Sequence, residues 1–327
     1  MNRRALIVWL LGMASSGCGG SSEPIGSIHL IRSEDTTANR ELFVSVAKQF
    51  YASQRDEYDM LVLWGAPEFS PGSSFYLPVR NDVPGIGYEH LGPDSFDLGS
   101  DYGSTRLEGI IWLGSDWMHA GSEGGARSVL GVVAHETGHR WSCLVHFQDS
   151  KAGPSDALLG DGMHWSFFLD TGADPMGGNR WRPLDGSLYQ AEPVDQVEFC
   201  PLNLYLMGLV PAESVPPLKL LVNMRDENDR PIGGISPYTK RVSEPLTLKA
   251  DTREISVDQI IAAEGRRDVD VGFSARTIRQ AWIYVYHDFN GASSAAEITA
   301  LQSLRSRWDA YFSDATGGRS AMDSASP

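Results

Sequence analysis

Apolar residues recur at Leu42, Val46 and Phe50, a spacing of four that puts them on one face of a helix from Asn39 to about Gln54. The pattern then changes. Tyr58 to Gly65 (YDMLVLWG) is a continuous apolar run of strand length, read as a buried strand. Ser74 to Val83 (SFYLPVRNDV) reads as a second strand, and Pro78 marks it as an edge, because proline cannot donate to a ladder. Gly109 to Gly114 (GIIWLG) reads as a third strand. From about Gly124 to His146 the chain predicts a long helix with Val129, Leu130, Val133, Ala134, Trp141 and Leu144 on its apolar surface.

Past that helix, Lys151 to Pro193 is rich in Gly, Pro and Asp and carries few regular signals. Phe199 to Val210 (FCPLNLYLMGLV) predicts a short buried helix, and after VPAESVPP a boundary falls near Pro216. Beyond it, Ser256 with Gln259 and Ser294 with Glu297 both fit a helix-opening capping box. Thr277 to His287 alternates as a strand does, with Trp282, Tyr284 and Tyr286 on one face, and a last helix carries Ile298, Leu301, Leu304 and Trp308 in a stripe. That aromatic face reads as half-buried core in preference to a carbohydrate or peptide platform. The acidic run Asp226 to Asp229 lacks the spaced oxygen ligands of a calcium loop and reads as a solvated turn. The class is α+β, with a smaller C-terminal α/β region.

Composition changes this picture little, except at the amino end. The chain of 327 residues carries 27 basic and 42 acidic side chains, a formal charge of −15, with no Lys/Arg cluster, which argues against a nucleic-acid partner. Asn2-Arg3-Arg4 and the apolar run Ala5 to Ala14 form a signal-peptide pattern, at about half the ~20 residues of a membrane span. Gly17-Cys18 resembles the end of a bacterial lipoprotein signal, although Ser15 stands where an aliphatic residue is usual. The resemblance implies lipidation of Cys18, and Gly19 after it implies the outer membrane; an ordinary secretory signal is the alternative. The expected organisation is a signal over 1–18, a flexible tether over 19–28, a main domain over 29–215, a C-terminal region over 216–318 and a polar tail over 319–327. In an exported chain the two remaining cysteines, Cys143 and Cys200, can form one bridge or stay as buried thiols.

The chemistry concentrates in VVAHETGHRW, Val132 to Trp141. His135 and His139 are four apart, so on a helix both imidazoles reach one ion, and zinc accepts imidazole nitrogen at about 2.0–2.1 Å. Glu136 sits one position round, able to act as a base without binding metal; the HExxH pattern is itself a recognised metallopeptidase motif. HETGH on an apolar helix that follows helix-and-strand units resembles the zincin metallopeptidases, and Gly138 resembles the HExGH form of metzincins. The likeness covers about Asn39 to His146. It departs from HExxHxxGxxH at Ser142 and Val145, so the third ligand stays open. On an unbroken helix His146 would rise about 10 Å above His139, too far to share an ion. His164, in the Gly-rich GDGMHW, is favoured, with Asp161 and Asp170 as carboxylate alternatives. The resemblance also offers Met207 as an apolar floor beneath the metal, although a Met among leucines is more often plain core packing, and Tyr189, Tyr205 or Tyr238 as an oxyanion donor.

These residues together imply a secreted or lipid-anchored zinc-dependent endopeptidase. Zn²⁺ would be held by His135, His139 and His164, Glu136 would serve as general base to a metal-activated water, and the substrate would be a peptide or protein aligned by the Ser74–Val83 edge. The membrane would be met only through the lipid anchor. The alternative is a cell-surface binding protein that keeps the fold with a structural metal or none. A third possibility assigns the working surface to the region after Pro216.

Overall fold

The run Met60–Gly65 is buried along its whole length, and so is Gly109–Leu113. Strands apolar on both faces need cover on both, and these two lie inside a seven-stranded sheet. The computed structural model describes residues 23–25, 28–69, 72–119, 128–150, 152–194, 198–239, 242–267 and 276–324; the expected signal peptide, Cys18 and most of the tether lie outside the described residues. The architecture is mixed α+β.

Across the first sheet the order is Glu23–Ile25, Ile28–Arg32, Arg276–Tyr286, Met60–Gly65, Gly109–Leu113 and Ser74–Pro78, with Ser320–Asp323 beside the start of Arg276–Tyr286. The four inner strands run parallel, and Ser74–Pro78 closes one edge antiparallel to Gly109–Leu113. The proline at position 78 thus sits on an edge strand, as its missing N–H requires. A second sheet of six strands follows the order Gly177–Asn179, Trp165–Asp170, Leu218–Arg225, Leu246–Ile255, Leu188–Ala191 and Trp181–Pro183.

The helix Arg40–Tyr51 forms as its spacing predicts. Asn39 caps it by accepting from the Leu42 N–H, and Leu42, Val46 and Phe50 are buried. The short helix Pro201–Leu206 is buried as expected. Ser256 and Gln259 form the full capping box of the helix Val257–Glu264. The second box does not form. The helix Gly291–Ala315 begins four residues earlier, with Asn290 at its N-cap position, so Ser294 lies inside it and accepts from the Asn290 N–H, while Glu297 takes the Tyr284 hydroxyl.

The chain after Pro216 does not build a sheet of its own alone. Its strand Arg276–Tyr286 lies between Ile28–Arg32 and Met60–Gly65, in the middle of the first sheet. The alternation of Trp282, Tyr284 and Tyr286 concealed this, because the intervening Ala281, Ile283 and Val285 are apolar too. Both faces are buried, and Trp282 and Tyr284 are inaccessible core side chains with no platform to offer. The expected stripe Ile298, Leu301, Leu304 and Trp308 is buried. A buried polar thread joins these parts: the Trp308 indole donates to Gln280 Oε1 at 2.9 Å, and Gln280 Nε2 donates to the Thr137 hydroxyl at 3.2 Å. The motif helix, the central strand and the last helix are therefore tied inside one core.

Candidate metal centre

The motif helix runs Val129–Gly138, with Ser128 accepting from the Gly131 N–H at its start. It is shorter than the 124–146 span expected. Tighter turns follow at Arg140 and Trp141, and Cys143 adopts a left-handed φ of 71° that no helix continues through. Residues 120–127, where the sequence placed its first turn, lie outside the described residues. His146 is therefore carried away by a chain reversal, and it joins His90 and Glu264 elsewhere.

His164 arrives from the second sheet. A turn closed by the Gly160 N–H to the His164 carbonyl, at 2.8 Å, presents it just before the strand Trp165–Asp170. Its Nε2 lies 3.1 Å from His135 Nε2, and His139 Nε2 lies 3.2 Å from the same atom. The remaining nitrogens fix the tautomers. His135 Nδ1 donates to the Pro175 carbonyl at 2.9 Å, and His164 Nδ1 donates to Asp161 at 2.7 Å. With Nδ1 protonated in each neutral ring, both Nε2 atoms aim lone pairs at a common point. Facing lone pairs at this separation repel unless a cation lies among them. A tetrahedral zinc with bonds of about 2.0–2.1 Å needs its nitrogens roughly 3.3 Å apart. The three-imidazole set fits such an ion.

Electrostatics sharpen the fit. Burial first, and then His135 and His164, push His139 well below the usual histidine range, so its imidazole stays neutral and available as a ligand. Glu136 is only 3% exposed, and burial raises its carboxyl to about 7, with a hydrogen bond from Ser74 opposing the rise. Its Oε2 has no hydrogen-bond partner among the described residues. Ser74 opens the edge strand Ser74–Pro78, so this carboxylate, next in sequence to His135, also meets the sheet edge.

Further groups hold the frame. Asp174 is buried and accepts from the Met176 N–H, the Cys200 N–H and Asn203 Nδ2, which fixes the Pro175 carbonyl that orients His135. Arg140 is fully buried beside His139, with Nε donating to Glu108 at 3.0 Å and its other nitrogens reaching Asn81 and Asp82. Gly138 leaves room for Met176: a Cβ there would lie 2.4 Å from the Met176 sulfur. Met176 packs against the motif helix at Gly138, and Met207 is a buried core residue at the end of Pro201–Leu206, in line with the core-packing reading of it.

Of the carboxylate alternatives, Asp161 orients His164 instead of joining the cluster, and Asp170 accepts from the Trp181 N–H and from Lys219. Tyr205 has its hydroxyl engaged by the Arg267 N–H. Tyr238 is 69% exposed and follows Pro237, whose carbonyl accepts from the Phe167 N–H three residues past His164. The Cys143–Cys200 bridge is not formed. Both thiols are free and buried, Cys143 donates to the Met176 carbonyl at 3.8 Å, and burial raises both above the ordinary thiol range, which keeps them protonated.

Pro175 and Met176 gave no sequence signal of their own; only the Gly/Asp/Pro richness of 151–193 marked where such turns lie, and Asp161 stood out there only as an alternative ligand. Comparison with protein-family models, with curated proteins and with solved structures finds no match.

Proposed function

We propose that the chain is a zinc-dependent endopeptidase of zincin type. The observation that carries this reading is the convergence of three Nε2 atoms beside a buried carboxylate with an unpartnered oxygen. His135, His139 and His164 would hold the ion, and zinc so held would supply Lewis acidity toward a carbonyl oxygen.

The chain's own groups do the rest. Glu136, raised by its burial, exchanges a proton near neutral pH: Oε2 takes one from the attacking water and returns it to the departing amine. Asp161 and the Pro175 carbonyl hold two ligand rings in register. The outer side of Ser74–Pro78 pairs with no strand among the described residues, so an extended peptide adds there as a further strand. Ser74 at its start brings that peptide alongside Glu136.

Several features support the zincin likeness. An antiparallel edge strand flanks a mainly parallel sheet, and the motif helix is packed against it. The chain reversal that metzincins make at a glycine, at the position of Ser142, is made one residue later by Cys143. The signal-like amino end supports an exported protein, lipid-anchored through Cys18 or secreted. No described helix is long and apolar enough to cross a membrane. In its structural-metal form the binding-protein alternative calls for a closed four-ligand shell, and Asp161 hydrogen-bonds His164 instead of supplying a ligand.

Replacing Glu136 with Gln tests the reading. Hydrolysis of an unfolded protein substrate should fall by about 10²–10⁴-fold while zinc stays bound. Equal hydrolysis by both chains would refute it.

A further inference from the structure

Three residues far apart in sequence meet a second time. His90 ends the short helix Tyr88–His90, His146 precedes the strand Phe147–Asp149, and Glu264 ends the helix Val257–Glu264. His90 Nε2 lies 3.0 and 3.1 Å from the two Glu264 oxygens. The His90 and His146 rings stack with centroids 3.7 Å apart, and Glu264 also accepts from the His146 N–H. One ligand atom from each residue lies within 4.8 Å of the others. We propose that His90, His146 and Glu264 form a second divalent-metal site, a structural one that shares no residue with the three-imidazole centre.

The backbone is shaped to bring them together. Gly85 and Gly87 both have left-handed φ, 74° and 82°. A Cβ at Gly85 would lie 2.7 Å from the Arg267 backbone nitrogen, and one at Gly87 would lie 2.5 Å from the Leu144 carbonyl oxygen. The loop carrying His90 therefore rests, backbone against backbone, on the two segments that carry Glu264 and His146. Only glycine permits either contact, for reasons of both φ and space.

The charges match a cation. The Glu264 carboxylate is inaccessible to solvent, and the groups facing it are His90, the His146 N–H and a second acid, Glu89. Asp156 and Glu89 also act on His146. A buried carboxylate with further acids close by costs free energy unless a positive charge joins it. Two imidazoles and one carboxylate are a borderline-soft donor set suited to zinc. His90 is one-third exposed, which gives an ion a way in.

Metal held here would cross-link three segments: the loop after the sheet edge, the chain just past the motif helix, and the helix Val257–Glu264. Its role is to fix that chain reversal, and it does not depend on the peptidase reading. The test begins from a His135→Ala/His139→Ala chain stripped of metal by a chelator and titrated with zinc. About one zinc per chain should bind, and its saturation should raise the melting temperature. Adding His90→Ala, at a partly exposed position, should abolish both effects; Glu264→Gln, which keeps the hydrogen-bonding shape, should weaken them. No zinc uptake by the folded double variant would overturn the proposal. So would uptake that His90→Ala leaves unchanged.

Discussion

Replacing Gly138 with Ala asks whether the motif glycine is there for space. The new Cβ would lie 2.4 Å from the Met176 sulfur and 3.2 Å from both Met176 Cγ and Phe199 Cε1. Met176 cannot withdraw easily. Its side chain is fully buried, its N–H donates to Asp174, and its carbonyl accepts from the Trp165 N–H. Forcing a methyl into such packing costs about 1–3 kcal/mol. The same change removes backbone freedom from a helical glycine, which stabilises by about 1 kcal/mol. The single variant should therefore be less stable by roughly 1 kcal/mol, read by urea unfolding of metal-free chain. In a Met176→Ala background the 2.4 Å contact is gone, the milder 3.2 Å approach to Phe199 can relax into the space vacated, and the helical gain dominates. There Gly138→Ala should stabilise, by about 0.5–1 kcal/mol. The sign change across this double-mutant cycle is the decisive quantity. Equal effects of Gly138→Ala in both backgrounds would refute the packing account.

Two further outcomes follow from buried and orienting histidines. His29 is buried, packed edge-on against Phe50, and burial lowers it from 6.5 to about 4. The unfolded chain takes up this proton below about pH 6.5 and the folded chain only below about 4, so stability is full above 6.5 and falls as pH drops toward 4. Wild type should lose about 2–3 kcal/mol more than His29→Leu between pH 7 and 4, by denaturant titration of metal-free chains; parallel curves would contradict this. Asp161→Asn should weaken zinc binding at the three-imidazole centre by about 10-fold, the low end for an orienting partner because Asp161 is half exposed. Affinity unchanged in a competition titration would remove Asp161 from the site.

How far the sequence led depended on the range of the interaction. The pair His135 and His139, the base Glu136 and the stripes of Arg40–Tyr51 and Gly291–Ala315 are local, set by spacing within one helix, and the pattern exposes them. His164 was favoured from the flexibility of its glycine-rich surroundings, and the structure brings it to His135. The central place of Arg276–Tyr286 was hidden because a strand apolar on both faces can still alternate in bulk. The helix end was misplaced because the reversal falls on Cys143, a residue that seldom takes positive φ. Asp161 was kept as an alternative ligand, whereas its carboxylate accepts from the His164 ring nitrogen. His90 and Glu264 carried no signal, since their meeting with His146 relies on close backbone approach at Gly85 and Gly87.

The central claim is that three converging imidazoles hold one ion, and counting metal tests it most directly. Zinc per chain, measured by elemental analysis after dialysis, should fall by about one between wild type and the His135→Ala/His139→Ala chain, whatever the second site contributes to each. No difference between the two folded proteins would contradict the account.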